Sequence, residues 1–575
     1  MRNKFLLYTI ACVLLSSCSK LDLNPLSEAS SEEWYTNDTQ VRMSLDRLYY
    51  FRFWNPDPDP INFDNCGWLD SFSDDWTNRN SVSAIAGGTL NGQSSVVTNW
   101  WKFDYECIGA ANTILAKLEQ PNDNISKDKI NQYIAEARFV RAAQYSKLIF
   151  HWGDVPYYSK PLNIDEAFKL GRTKKEEILK YIYDDFDFAA SNLPTTYSSS
   201  EPQYATKGAA LALKARIALY MGDWQVASDA AKACMDLEVY KLYPVYQDLF
   251  LSKTKNSEET VFGIPRSKEA GIVIAKNQTQ QPLSRNASGN DYVQPSWDLL
   301  NAYLCTDGLP IDQSPRYNPN KPFKNRDPRC TATIVEFGTS FCGFPYYPHP
   351  DSLLTTNLKT GERVSNQDSR GVIQYASYNG LAWRKHIDDA WTSDFQPDPE
   401  ITVIRYADVL LIYAEAKIEL NDIDQTVLDA INRVRARAYG VSYTETSSYP
   451  AVTVTDQNDL RHILRIERRM EFAFEGLRYN DIIRWKIAEK VLNTNIYGMI
   501  DPEAQREKII KKGLWFFPET PQIDIDGVSD FSSMYNKGYI DILAKRSFNK
   551  SKNYLWPIPT SEILINKNLT QNPGY

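Results

Sequence analysis

Apolar residues recur at three- and four-residue spacing toward both ends of this chain, and the spacing dissolves in the middle. After a polar leader, Val41, Leu45, Leu48 and Tyr49 start a first helix. Trp101, Tyr105, Ile108, Asn112 and Leu115 mark one helical face, and Ile134, Ala137, Val140, Arg141, Tyr145 and Leu148 another. Alanines at 135, 137, 142 and 143 would let these two helices approach closely. A third pair is clearer, over 206–220 and 224–235, joined by Met221-Gly222-Asp223. Small and large apolar residues alternate on either side of a Gly-Asp turn, the pattern of a tetratricopeptide unit, and such units stack into curved scaffolds. Helix returns over 403–420, 426–439 and 460–492, before an irregular aromatic and Pro-rich tail. Between the helical ends, 251–399 breaks into Gly, Pro, Asn and Asp with scattered Trp and Tyr. That is too long for a simple connection and reads as a functional insertion. A second broken stretch, rich in aromatics, Pro and Asp, runs from about 54 to 95.

The first eighteen residues follow a different logic. Arg2 and Lys4 give a positive start, 5–15 form an apolar run too short to span a bilayer, and Leu15-Ser16-Ser17-Cys18 is a small-residue cleavage site ending in cysteine. A plain secretory signal has no use for a thiol just after the cut. A lipoprotein signal does, because the Cys18 sulfur carries diacylglycerol and the freed amine takes a further acyl chain, and several buried chains hold far more firmly than one. The reading is a signal peptide over 1–17 and a bacterial lipoprotein from Cys18 onward, tethered to the membrane by its N-terminal lipid. No second apolar run is long enough for a membrane helix, and the mean hydropathy of −0.46 fits a tethered body.

Composition narrows the partner. The 575 residues carry a formal net charge of −8, with both signs mixed along the chain and no basic stripe, which argues against nucleic acid. Aromatics make up 13%, with 35 Tyr and 14 Trp, a surplus that suits either a large core or a surface gripping ligands by flat apolar faces. Six cysteines remain beyond Cys12 and Cys18, without metal-ligand spacing; only Cys330 and Cys342 are close enough to suggest a loop staple, with separate buried thiols an equal reading. The four histidines, His151, His349, His386 and His462, are widely separated, so neither a metal nor any other cofactor is expected. Asp57, Asp59 and Asp64 read as a solvated acidic loop rather than a Ca²⁺ site.

Many short blocks, in order, resemble the SusD/RagB family of outer-membrane lipoproteins. Leu21-Asp22-Leu23-Asn24-Pro25 is similar to its leader; Trp101, Tyr105, Ile108 and Asn112, then Glu136 to Ala142 with Trp152-Gly153-Asp154-Val155-Pro156, fit its first helices. Asp307-Gly308-Leu309-Pro310, Arg326-Asp327-Pro328-Arg329, Arg405-Tyr406-Ala407-Asp408 and Asn432-Arg433-Val434-Arg435 fit the middle. Most specific are Glu467-Arg468-Arg469, Phe474-Glu475-Gly476-Leu477-Arg478, Trp556-Pro557-Ile558-Pro559 and Gln571-Asn572-Pro573-Gly574-Tyr575. The resemblance implies one SusD-like domain over 18–575. Its fold would be all-α, with tetratricopeptide-like helix pairs around 100–240 and 403–440, the loop-rich insertion around 251–399, and a C-terminal family region over 460–575. It further implies a non-catalytic, cell-surface subunit in the outer membrane, which captures oligosaccharide and passes it to a SusC-like TonB-dependent barrel. A peptide-capturing role, as in some similar proteins, is the alternative.

Charged residues within these blocks tempt one toward catalysis. On a continuous helix, Glu467, Glu471 and Glu475 fall at successive fourth positions, with Arg478 and Asp481 continuing the face, and they read as a buried ion-pair network. Ligand capture belongs on the loops. A sugar presents an apolar C–H face and an edge of hydroxyls, so it is met by aromatic platforms flanked by Asp, Asn or Arg. The first loop region offers Trp68, Asp74, Asp75, Trp76, Arg79 and Asn80, then Asn99 and Trp100; the insertion offers Tyr292, Trp297, Tyr346, Tyr347, Trp383 and Trp391, with Arg285 and Asn290 nearby. Each aromatic also suits a loop-packing anchor, and Trp101 reads as core. No paired carboxylates carry a glycosidase signature.

Overall fold

A computed structural model describes residues 34–49, 68–198 and 204–575. The expected signal peptide over 1–17, Cys18, Cys66 and the Asp57, Asp59 and Asp64 stretch lie outside these residues.

Among the described residues helices dominate, with a few short strands and no barrel. In chain order the main elements are α1 (Asp38–Asp46), β1 (Trp76–Asn78), α2 (Ser95–Leu118), α3 (Lys127–Trp152), α4 (Lys175–Asn192), α5 (Lys207–Met221) and α6 (Trp224–Met235). Then follow β2 (Thr260–Ile264), β3 (Val293–Pro295), α7 (Trp297–Ala302), α8 (Pro328–Thr333), β4 (Ile401–Arg405), α9 (Tyr406–Glu419), α10 (Gln425–Ala438), α11 (Gln457–Phe472) and α12 (Arg478–Arg484). Each helix from α2 to α6 packs on the next, α6 packs on α9, and α9 packs on both α10 and α11. The array therefore resumes where the insertion ends, and β2 pairs with β4 to close that insertion at its base.

Local chemistry explains the helix pair read most clearly from sequence. The Thr206 hydroxyl accepts from the Ala209 N–H at 3.1 Å to start α5, and Gly222, at φ 80°, ends it in the left-handed conformation that only glycine adopts freely. Ala209, Ala210, Ala212, Ala215 and Ala218 are buried along α5, which brings neighbouring helices close.

Three sequence expectations change. The helix α4 falls where the sequence pattern predicts no element; its apolar face is carried by only a few residues, among them Ile178, Ile182 and Phe186. The stretch 403–420 opens as a strand, because Val403, Ile404 and Arg405 complete β4. The stretch 460–492 is not one helix: α11 ends at Phe472, and Phe474 (φ 60°) and Gly476 (φ 75°) turn the chain before α12. Glu475 thus lies in the turn, off the helical face assigned to it.

The charges nevertheless gather as a buried network. Arg329 reaches Glu467 at 2.7 Å, Glu471 at 2.9 Å and Asp327 at 2.8 Å; Arg405 reaches Glu259 and Glu471 at 2.6 Å and Glu475 at 2.7 Å. Arg437 adds a further pair to Glu471, and three guanidinium groups hold that carboxyl far below its ordinary range against the cost of burial. Arg468 pairs with Asp408 at 2.8 Å and Asp481 at 3.0 Å. Cys330 and Cys342 are separate buried thiols and form no staple.

Candidate functional site

A second apolar core lies under the loops and takes up much of the aromatic surplus. Trp76 meets Trp383 at 5.8 Å and Phe474 at 5.7 Å between ring centroids, and Trp383 stacks on Phe474 at 4.5 Å. Trp297 packs against Phe517 at 5.0 Å and donates its indole N–H to the Asn379 carbonyl at 2.8 Å. With relative exposures of 3% for Trp76 and Trp297 and 0% for Trp383, these three have no face to offer a ligand and are packing residues. Trp391 and Tyr346 are likewise buried. Trp100 sits against Trp556 and His151, each at 5.1 Å, and borders a cleft of about 170 Å³ walled mainly by apolar side chains such as Phe72 and Phe150. Asp74 is buried between Arg469 and Arg478, both at 2.8 Å, and these cations hold its carboxyl below the usual range. It belongs to the ion-pair network rather than to a ligand surface. Asn99 is half-buried on α2, away from the other candidates' cavity, and Trp68 opens a 3-10 turn whose first side chain lies outside the description.

The two loop regions are joined by β1 and β3. They pair antiparallel with Trp76 opposite Pro295, Thr77 opposite Gln294 and Asn78 opposite Val293. One step further along this register sets Arg79 against Tyr292. Arg79 has φ 46°, and the Ser81 N–H closes a turn on the Asn78 carbonyl at 2.8 Å, so the chain leaves the strand there and Asn80 is exposed.

Arg79 lies over the Tyr292 ring at 5.6 Å and the Tyr375 ring at 5.4 Å, and donates to the carbonyls of Asn290 and Tyr375, the latter at 3.2 Å. With Gln281 and Arg285 these residues line a surface cavity of about 280 Å³. The wall is built, not loose. The Asn290 N–H donates to Gln280 O at 2.7 Å, and the Tyr292 N–H to Gln281 O at 2.9 Å. Asn286 donates its backbone N–H and side-chain amide to the Asp368 carboxylate at 3.0 and 2.8 Å. Behind this wall, burial pushes the Asp368 carboxyl up to about 6. Burial and the Asp368 charge push Asp291 well above its ordinary value, while Arg79 and Arg285 pull it down.

Of the sequence candidates, the fold brings Arg79 and Tyr292 to one place, with Arg285 and Asn290, whereas Asn80 is exposed beside Arg79 and does not line the cavity. Tyr375 and Gln281 were missed, since nothing in a long irregular segment signals which tyrosine returns to the cavity. A wider groove of about 500 Å³ beside α11 has no tyrosine or tryptophan in its wall and so lacks a platform for a sugar. Among the described residues no group of His, Cys, Asp and Glu gathers as a metal site, and no helix is long and apolar enough to cross a membrane.

The SusD family model matches residues 258–575, more than half of the chain. The protein is a member of the SusD family. A second family model, described as starch-binding associating with outer membrane, matches residues 63–219. A SusD-like protein of Formosa agariphila is 25% identical over 534 residues, covering 87% of this chain and 93% of its own length. The starch-binding protein SusD of Bacteroides thetaiotaomicron is 23% identical over 487 residues, covering 77% of this chain and 72% of its own. Among solved structures, a SusD-like carbohydrate binding protein from Bacteroides fragilis superposes with a TM-score of 0.75 at 30% identity, over 93% of this chain and 99% of that one. A laminarin binding SusD-like protein superposes with a TM-score of 0.63 at 20% identity, over 94% and 100%, and shares the fold. The helical-repeat architecture expected of the family is the one observed.

Proposed function

We propose that this SusD-family protein is a non-catalytic, cell-surface lipoprotein of the outer membrane. It captures oligosaccharide at the cavity between Arg79, Tyr292 and Tyr375 and delivers it to a SusC-like TonB-dependent barrel. One body over 18–575 carries this role, tethered through Cys18. The observation that carries the reading is the convergence, at one built cavity, of two tyrosines with guanidinium and amide donors, the chemistry that meets a sugar's apolar face and hydroxyl edge. The relatives' carbohydrate-binding and starch-binding names support it. The peptide alternative gains no support from them.

The test follows the protein in membranes and with substrate. Changing Cys18→Ala should release it from the membrane fraction while glycan binding persists, and prolonged incubation with a bound glycan should yield no new reducing ends. Membrane attachment unchanged by Cys18→Ala, or product release abolished by changing a carboxylate pair, would contradict the lipoprotein and binding-subunit readings respectively.

A further inference from the structure

The charge of this cavity says more than its shape. Two of its six wall residues, Arg79 and Arg285, are cations, and none is Asp or Glu. Many buried arginines elsewhere in the fold, among them Arg329, Arg405, Arg468 and Arg469, are matched by carboxylates at hydrogen-bonding distance, whereas Arg326 is enclosed by three backbone carbonyls in the protein interior, away from this cavity's wall. Among the described residues neither Arg79 nor Arg285 forms an ion pair. Their acceptors are neutral carbonyls: Asn290 and Tyr375 for Arg79, and Gly289 at 3.2 Å for Arg285. The Nε atoms of both are shut off from solvent and meet no acceptor. The nearest balancing groups, Asp291 and Asp368, are fully buried behind the wall, and Asp368 is already engaged by Asn286. Arg79 also lies over both tyrosine rings, so one face of each is taken by a cation rather than left bare for a neutral sugar.

Resting on the glycan-capture reading above, we propose that the ligand of this cavity is an anionic glycan, with a carboxylate or sulfate ester received by Arg79 and Arg285 while the sugar ring lies along Tyr292 and Tyr375. Paired guanidinium groups suit planar or tetrahedral oxyanions, and charge-assisted hydrogen bonds to them are about twice as strong as neutral ones.

The test uses titration calorimetry with two matched series. Oligogalacturonates are compared with their methyl esters, and uronate-free sulfated galactan oligosaccharides with their desulfated forms. The proposal expects one series to bind at least about tenfold more tightly in its charged form, with affinity falling as salt is raised. Which series does so separates carboxylate from sulfate. Arg285→Gln, whose side chain donates only to the Gly289 carbonyl, should remove this preference with little change in melting temperature; Arg79→Gln should do the same, but its ties to two loops make it the more disruptive variant. Equal or tighter binding of the neutral forms, with Arg285→Gln without effect, overturns the anionic ligand and leaves glycan capture standing. So does binding of laminarin or starch with no binding of either charged series. Failure to bind any of these carbohydrates removes both readings.

Discussion

At the residue scale, arginine does two kinds of work in this protein, and its partners tell them apart. Glu471 stands between Arg329, Arg405 and Arg437, and its charge balances cations that have no water to turn to. Glu471→Gln leaves three buried guanidinium groups short of an anion and should cost about 3–5 kcal/mol, read as a lowered midpoint in chemical denaturation. Asp104 shows the opposite imbalance. Burial pushes its carboxyl up to about 7, with Lys147, 3.6 Å away, only partly opposing this. A carboxyl raised in the folded state favours folding while protonated, so its contribution is intact below about pH 4 and is lost as pH rises toward 7. Asp104→Asn should therefore match the parent near pH 4 and exceed it at pH 8 by on the order of 4 kcal/mol. Denaturation curves at the two pH values check this. Only the pairing of sequence blocks, not the partners, was legible beforehand: Glu467 and Glu471 read correctly as a buried network, whereas Glu475 was placed on a helix that Phe474 and Gly476 end.

At the scale of elements, the segment between α6 and β3 forms the wall of the cavity by close backbone approach. Gly289 passes so near Leu283 that a Cβ would lie 2.0 Å from the Leu283 carbonyl oxygen, and the Gly289 N–H donates to Ser284 O at 2.9 Å. Gly289→Ala must displace backbone, because no flexible side chain is there to yield. The helical array does not depend on this loop, so the melting temperature should change little while glycan affinity falls about tenfold or more; calorimetry and thermal melts on one preparation separate the two. Periodicity located the helices because their apolar faces repeat over many turns. It did not locate β1 and β3, three residues each, whose pairing is set by long-range register rather than by local pattern. That pairing is what turns two loop regions into one site.

For the whole molecule, the aromatic surplus divides between two tasks. Trp76, Trp297 and Trp383 build a second core that stiffens the loop side; at the cavity edge Tyr292 is half-buried against that core, and Tyr375 remains accessible over 51% of its surface. Composition alone joined both populations, so each loop tryptophan suited either a platform or a packing anchor, and the fold uses Trp76, Trp297 and Trp383 as anchors. A shallow open cavity of this size removes little apolar area, at about 25 cal/mol for each Å², and part of that is spent in ordering the sugar. Moderate affinity follows. The most direct measurement is titration of the bound glycan against the parent protein and a Tyr292→Ala/Tyr375→Ala double variant, with the complex to a TonB-dependent barrel followed in parallel by co-purification. The account predicts that the double variant loses glycan binding, stays folded with a modestly lowered melting temperature because Tyr292 packs against the second core, and still co-purifies with the barrel. Undiminished glycan affinity in that variant would contradict it, and the ligand would have to be sought on another face.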